Sequence, residues 1–178
     1  MPSADFQSSL PFILRWEGGY VNHPNDPGGA TNKGVTQKVY DDWRRKQGQA
    51  LRDVRQLAEE EMQAIYETGY WLPPKCHLLE GPLDLVHFDT AVNMGVGRAV
   101  RFLQKAVGAG VDGDFGSGTQ QCVADCDPGT ALSAYCDTRE AFYRKLAADN
   151  PKLSVFLKGW MNRLNALREQ VGLPGFES

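Results

Sequence analysis

The sequence predicts a mainly α fold with a small glycine-rich hairpin or loop near the N-terminus. Three observations support this. Apolar residues recur at helical spacing along most of the 178 residues. Turn-forming residues are concentrated in one segment, 18–36, with five glycines and two prolines. The pairs Asp127-Pro128 and Asn150-Pro151 each place a capping residue before proline, which is typical of a helix start. At this length we expect one compact domain, 1–178.

The predicted elements follow these signals in order. A first helix carries Phe6, Leu10 and Ile13 and ends at Gly18. In the turn-rich segment, 20–21 and 34–35 are expected to pair as a hairpin. A second helix starts at the capping residue Thr36 and turns Val39, Tyr40 and Trp43 inward. The remaining predicted helices cover 59–71, 83–94 and 99–107, followed by the two long helices after Asp127 and Asn150.

Composition excludes several classes of protein. The net charge of −3 disfavours electrostatic binding of nucleic acid. The chain has no apolar run of about 18 residues or more, so we expect no stable membrane insertion. The N-terminus lacks the pattern of a secretory signal, and we expect synthesis in the cytoplasm.

The cysteines and histidines do not form a metal-binding pattern. Three scattered histidines and four cysteines without paired spacing supply no zinc ligand set, so we expect neither a metal nor another cofactor. Reduced thiols and disulfides both remain open for the cysteines. They are Cys76, Cys122, Cys126 and Cys136.

Glu17 is the leading candidate for a catalytic group. It lies at the C-terminal end of the first predicted helix, beside Trp16 and before Gly18. The negative end of the helix dipole and apolar neighbours both favour the protonated carboxyl. A carboxyl that keeps its proton near neutral pH can serve as a general acid. The alternative is a solvated glutamate at a frayed helix end.

A second carboxylate follows nine residues later, at Asp26. Two carboxyl groups are the usual equipment of glycosidases, in which one protonates the leaving oxygen and the other activates water or attacks carbon. Thr31 and Asn32 offer a hydroxyl and an amide that can orient a water molecule or bind a sugar. The alternative for Asp26 is a turn-capping role within Asn-Asp-Pro-Gly.

Further residues are candidates for substrate binding. The aromatic residues Tyr20, Tyr70, Trp71 and Trp43 can stack on sugars or fill the core. Asn93, with Asp89 one turn earlier, forms a polar stripe on an apolar helix. That stripe is either a cleft wall or a buried hydrogen-bonding group.

The chain resembles glycoside hydrolase family 108. The resemblance is carried by WEGGYVNHPNDPGGATNKGVT (16–36), IYETGYW (65–71), HFDTAVNMGVGRAVRFLQ (87–104), VDGDFGSGT (111–119) and FLKGWMNRL (156–164). It implies a lysozyme-like helical fold and a peptidoglycan muramidase, found among phage endolysins and bacterial secretion activator proteins. It also implies that Glu17, the glutamate of the EGGY motif, is the catalytic acid.

A fainter resemblance extends to phage-type lysozymes, which carry Glu, Asp and Thr in the order and spacing of Glu17, Asp26 and Thr31. That similarity implies attack by a water molecule with inversion of the anomeric carbon. The block 111–119 also resembles a turn of small peptidoglycan-binding modules, although a turn between helices is equally open. An EF-hand calcium loop is excluded, because the twelfth residue from Asp112 is Val123 rather than glutamate.

The resemblance implies a catalytic part in 1–95 and a helical peptidoglycan-domain-like part in 96–178. The expected partners are the glycan strands of peptidoglycan, and we expect a monomer. An enzyme without a signal peptide needs a holin or a secretion pore to reach the wall.

Two rivals remain. One is a non-catalytic peptidoglycan-binding protein. The other is a wall amidase or peptidase, for which no ligand set or motif is present, although Cys76 and His87 are formally a cysteine–histidine pair.

Overall fold

The computed structural model describes residues 4–22 and 29–176. Within them the chain forms eight α-helices and one two-stranded sheet, so the predicted mainly α fold is confirmed. The chain divides into two compact units, Met1–Pro73 and Pro74–Ser178. The predicted boundary between 95 and 96 falls inside the second unit, after its first long helix, and stays a prediction.

Helix α1, Ala4–Glu17, opens the first unit. Phe6, Leu10 and Ile13 form its buried stripe, as their spacing predicts. The helix ends where Gly18 takes a positive φ of 75°, a conformation that glycine adopts without steric cost. Glu17 is therefore the last helical residue, as expected.

The small hairpin pairs strand β1, Thr31–Asn32, with strand β2, Val35–Thr36. Lys33 and Gly34 form the turn, and both have positive φ, which is typical of a tight two-residue hairpin turn. The predicted pairing of 20–21 with 34–35 is wrong, because Val35 faces Asn32 and Val21 forms an isolated bridge with Thr31. A two-residue turn closes with far less loss of chain entropy than the long segment before it.

Helix α2, Gln37–Lys46, begins at the predicted cap, where the Val39 amide donates to the Thr36 hydroxyl at 3.2 Å. Tyr40 is buried as predicted, whereas Val39 is exposed and its predicted inward orientation is wrong. Helix α3, Glu59–Tyr66, continues into one π-helical turn, Glu67–Trp71, so helical structure spans the predicted 59–71.

A partly buried ionic network joins α2 to α3. The Tyr40 hydroxyl and the Arg52 guanidinium each lie 2.6 Å from the Glu61 carboxylate, which also pairs with Arg44. The same carboxylate accepts the Ala58 amide at 3.1 Å and thereby caps α3. This network fixes α3 relative to the helix that follows the hairpin.

Over the described residues 74–176, the second unit is a bundle of five α-helices, which are α4, Leu83–Met94; α5, Val96–Val107; α6, Ser117–Asp125; α7, Pro128–Asp149; and α8, Ser154–Gln170. Helix α5 packs on α4 and α7, and α7 packs on α8. The Asp127 carboxylate caps α7 by accepting the Thr130 amide at 2.8 Å, as predicted. The Asn150-Pro151 pair opens a 3₁₀ turn, Pro151–Leu153, rather than the long helix directly.

Helix α6 is absent from the sequence prediction, which treated 116–118 as a turn. The preceding loop is closed by the buried Gln104 side chain, which donates to the Asp112 carboxylate at 2.7 Å and accepts from the Gly113 amide at 2.9 Å. The carbonyl oxygen of Asp114 accepts from the same side chain at 2.9 Å. The acidic block is thus a turn between α5 and α6, held together by an amide.

Three further properties concern the cysteines, possible metal ligands and possible membrane-spanning helices. Cys122, Cys126 and Cys136 have free thiols, and Cys76 and Cys136 are buried. Within 4–22 and 29–176, no three histidine, cysteine or acidic side chains come together as metal ligands. In the same residues no helix combines the length and the apolar character that crossing a bilayer requires.

Candidate active site

The side chain of Glu17 is held against the hairpin turn. A β-carbon built on Gly34 would lie 3.0 Å from the Glu17 Cβ and 3.1 Å from its Cγ. Contacts that close are tighter than those most side chains make, so a residue larger than glycine would press the turn against Glu17. The Glu17 side chain is half-buried, and its methylene groups rest on backbone rather than in water.

Tyr66 ties α3 to the same turn. Its hydroxyl donates to the Lys33 carbonyl at 2.7 Å and would overlap a β-carbon on Gly34. The Lys33 ammonium group pairs with Glu59 at 2.9 Å across an exposed contact. Two residues of α3 therefore anchor the turn that faces Glu17.

Tyr70 lies within the electrostatic field of Glu17. Burial raises the pKa of the Tyr70 hydroxyl, and the negative charge of Glu17 raises it further. The Tyr70 ring lies 5.9 Å from the Tyr66 ring, centre to centre. Near neutral pH, Tyr70 thus presents a neutral hydroxyl, a hydrogen-bond donor, close to the candidate acid.

Strand β1 carries Thr31 and Asn32. Thr31 exchanges two backbone hydrogen bonds with Val21, at 2.7 and 2.8 Å, and so joins the two ends of the segment that contains Asp26. Asp26 itself lies outside the described residues. The Asn32 amide donates to the Val54 carbonyl at 3.1 Å, which fastens the hairpin to the chain before α3.

The predicted sugar-stacking aromatic residues divide by exposure. Tyr20 is exposed, and the Arg55 guanidinium lies 5.8 Å from its ring centre. Trp71 is only 1% exposed and packs edge-on against Phe6 with ring centres 5.7 Å apart. Trp43 is half-buried beside α3. Tyr20 and Tyr70 therefore have accessible ring surface, whereas Trp71 stabilises the core.

Asn93 belongs to the second unit and has polar partners there. Its amide oxygen accepts from the Tyr143 hydroxyl and lies 3.5 Å from an Arg139 nitrogen. Asp89, one turn earlier, is fully buried between Arg139 at 2.7 Å and Arg163 at 2.8 Å. The polar stripe of α4 thus joins α4 to α7 and α8, the alternative to a cleft wall that the sequence left open.

Two residues of this site, Gly34 and Tyr66, were not among the sequence candidates. The sequence contains a feature that points to each of them. Asn-Lys-Gly is typical of a hairpin turn, and Tyr66 lies in the block IYETGYW. Glu17, Tyr70 and the turn converge through contacts between α1, the hairpin and α3. The result is a carboxyl group at a helix end, held against a tight turn with tyrosine hydroxyl groups nearby, an arrangement suited to general acid catalysis.

Comparison with known families assigns both parts of the chain. The family model described as "Glycosyl hydrolase 108" matches residues 10–95, and the one described as "Predicted Peptidoglycan domain" matches 98–165. A solved structure, "Structure of Brucella abortus SagA", is 32% identical with a TM-score of 0.79, over 98% of this chain and 97% of that one. No curated protein sequence matches the chain.

The two matches place a glycosidase domain and a peptidoglycan domain in one chain. This combination is that of a peptidoglycan hydrolase. The chain belongs to glycosyl hydrolase family 108. The two family matches adjoin near the predicted boundary at 95/96, whereas the compact units meet between Pro73 and Pro74.

Proposed function

We propose that the chain is an N-acetylmuramidase that cleaves the β-1,4 bond between N-acetylmuramic acid and N-acetylglucosamine. Glu17 is the general acid. The observation that carries this assignment is the contact between Glu17 and Gly34, which holds a helix-terminal carboxyl on a rigid turn. A fixed acid needs no reorganisation when the glycosidic oxygen accepts its proton.

The reaction needs one proton donor and one water molecule. Glu17 gives its proton to the glycosidic oxygen as the bond to the anomeric carbon breaks. Water attacks that carbon, and the proton it loses goes to Asp26, with Thr31 holding the water molecule. The role of Asp26 rests on its spacing from Glu17 and on the resemblance to phage-type lysozymes, as does the inverting outcome.

Tyr20 and Tyr70 are proposed to contact the sugar rings, since both have accessible ring surface near the end of α1. Asn32 contributes through the position of the hairpin, because its amide group is bonded to Val54. Trp71, which follows Tyr70 in the π-helical turn, packs against Phe6 and thereby positions that turn. Asn93 is the last proposed substrate-binding residue. Its side-chain oxygen also accepts a hydrogen bond from the Tyr143 hydroxyl.

Peptidoglycan as substrate places the action of the protein at the cell wall. Lysis from within a phage-infected cell and a secretion-linked opening of the wall are both uses of such an activity. The first requires a holin and the second a secretion pore, and in either case we propose a monomer, which sedimentation analysis tests directly.

The experiment compares Glu17→Gln with Glu60→Gln, an exposed acid of α3, on purified insoluble sacculi. General acid catalysis contributes about 10²- to 10⁴-fold, so we expect a loss in that range for Glu17→Gln and none for Glu60→Gln. Muramidase action releases reducing sugar ends. Release of free amines instead identifies an amidase, and binding without any release identifies a non-catalytic wall protein.

Asp26→Asn tests the second carboxylate. Strong loss of turnover with unchanged melting temperature supports its role with water, whereas unchanged turnover assigns Asp26 to the turn, where asparagine is an equal substitute. The first-formed anomer of the product, followed by NMR before mutarotation, distinguishes inversion from retention. Thr31→Val, which keeps the strand but removes the hydroxyl, completes the series.

A further inference from the structure

Three aromatic rings on the second unit form a continuous stack. Tyr143 of α7 and Trp160 of α8 have ring centres 5.2 Å apart and ring planes 19° from parallel. Phe156, one turn before Trp160, continues the stack at 6.0 Å and 29°. We call Tyr143, Trp160 and Phe156 the aromatic stack. Its three rings therefore share nearly one orientation, with Phe156 at one end.

The inner end of the stack is fixed by buried charges. The Tyr143 hydroxyl lies 3.0 Å from the Arg139 Nε and also bonds to Asn93. Arg139 is in turn paired with the fully buried Asp89 at 2.7 Å. Because every one of these groups is held by another, the Tyr143 ring provides a rigid base on which the outer rings rest.

The outer end of the stack is open to solvent. Phe156 is 53% exposed, and its neighbour Val155 is 75% exposed. Covering the exposed face of such a ring with an apolar surface is favourable. A flat aromatic face that needs no rearrangement loses little entropy when a ligand covers it.

Two lysines lie close to Phe156 in the sequence. Lys152 and Lys158 are both exposed, and neither forms an ion pair among the described residues. The acidic residue nearest in sequence, Asp149, is instead paired with Lys145. The segment that carries Phe156 therefore has an excess of positive charge.

We propose that the aromatic stack is a glycan-binding platform that takes the N-acetylhexosamine rings of a peptidoglycan strand. The apolar face of a pyranose ring matches the exposed face of Phe156. The stack lies within 98–165, the part that matches the peptidoglycan domain. The inference rests on the proposed function only in taking peptidoglycan as the substrate.

Such a platform acts by holding the enzyme on its polymer. A second contact with the same strand turns each new encounter of the catalytic unit into a local event, which raises effective concentration without changing the chemistry. Loss of the platform is therefore expected to affect action on insoluble sacculi far more than action on short soluble fragments.

The test measures sedimentation of the full chain with purified sacculi, in a Glu17→Gln background that keeps the sacculi intact. Phe156→Ala removes the outer ring, Phe156→Tyr keeps it, and Val155→Ala is the matched control for an exposed apolar residue. A stacked ring contributes about 0.5–1.5 kcal/mol, so Phe156→Ala is expected to weaken binding about two- to tenfold. Phe156→Tyr and Val155→Ala are expected to bind like the parent. The same differences between variants are expected on glycan strands from which the stem peptides have been removed.

Each contrary outcome overturns the platform. They are unchanged binding in Phe156→Ala, an equal loss in Val155→Ala, a need for stem peptides, or a Phe156-dependent dimer in sedimentation velocity. Circular dichroism of Phe156→Ala checks that the unit is folded, and Phe156→Tyr tests the ring independently. Sedimentation needs no turnover, so this test can fail while Glu17 is still the acid, and the reverse also holds.

Discussion

Gly34 lies so close to Glu17 that a larger residue would press the hairpin turn against the end of α1. A β-carbon at this position would be 3.0 Å from the Glu17 Cβ and would overlap the Tyr66 hydroxyl. We predict that Gly34→Ala displaces Glu17 and lowers muramidase turnover at least tenfold. Reducing-end release from sacculi measures the loss.

Gly48→Ala is the matched control for that substitution. Gly48 has a similar positive φ, 66° against 78° for Gly34, but its β-carbon would meet no atom within 4 Å. Both variants carry the backbone strain of about 1–2 kcal/mol that alanine feels at positive φ. Equal losses of turnover in the two variants would show that the contact with Glu17 has no functional consequence.

Tyr66→Phe removes the hydroxyl that ties α3 to the turn. The lost hydrogen bond to Lys33, at 2.7 Å, is expected to cost about 1 kcal/mol of stability, measured by urea denaturation. It also removes the atom that a Gly34 β-carbon would overlap. In the double variant, Tyr66→Phe should therefore partly restore the melting temperature lost in Gly34→Ala. Strictly additive losses would contradict this coupling.

The sequence predicted the helical elements well because their signals are local. Asp127 and Thr36 are capping residues that act on amides three positions away, and the structure has both bonds. The hairpin register was missed because several turn-forming pairs lie in the same segment and only one of them forms the turn. Lys33-Gly34 decides it through two positive φ angles, which the residue types alone do not rank.

Side-chain roles were harder to predict because they depend on contacts distant in sequence. Glu17 was identified from its place at a helix end, which is local information. Tyr66 contacts the turn from 33 positions away, and no pattern in the sequence indicates that contact. The sequence left Asp89 open between a cleft wall and a buried group, because its partners, Arg139 and Arg163, lie 50 and 74 positions further along the chain.

Asp89→Asn is expected to be the most destabilising of these substitutions. It leaves Arg139 and Arg163 buried without the carboxylate that both contact. Breaking a buried ion pair in this way costs about 3–5 kcal/mol. The control is Asp149→Asn, which breaks an exposed pair with Lys145 and should leave the urea midpoint nearly unchanged. A small effect of Asp89→Asn would mean that the arginines find water or other partners.

A single buried histidine makes the second unit sensitive to mild acid. His87 is fully buried, with its Nε2 donating to the Pro74 carbonyl at 2.9 Å and its Nδ1 facing the Tyr135 hydroxyl at 2.8 Å. Burial lowers the pKa of His87 to about 4, although the bond to Pro74 opposes the shift. In the unfolded chain the same group titrates near the ordinary histidine value of about 6.5.

The direction of the pH effect follows from these two values. Above about pH 6.5, His87 is neutral in both the folded and the unfolded protein, and the full stability is present. Between about pH 6.5 and pH 4, only the unfolded protein takes up the proton at His87, so the free energy of unfolding falls. The expected loss from this group between pH 7 and pH 5 is about 2 kcal/mol. His87→Gln keeps a donor and an acceptor but cannot titrate. We therefore predict that urea denaturation at several pH values shows a shallower decline for His87→Gln than for the parent. Equal slopes would mean that His87 takes up its proton over the same pH range in the folded and unfolded protein.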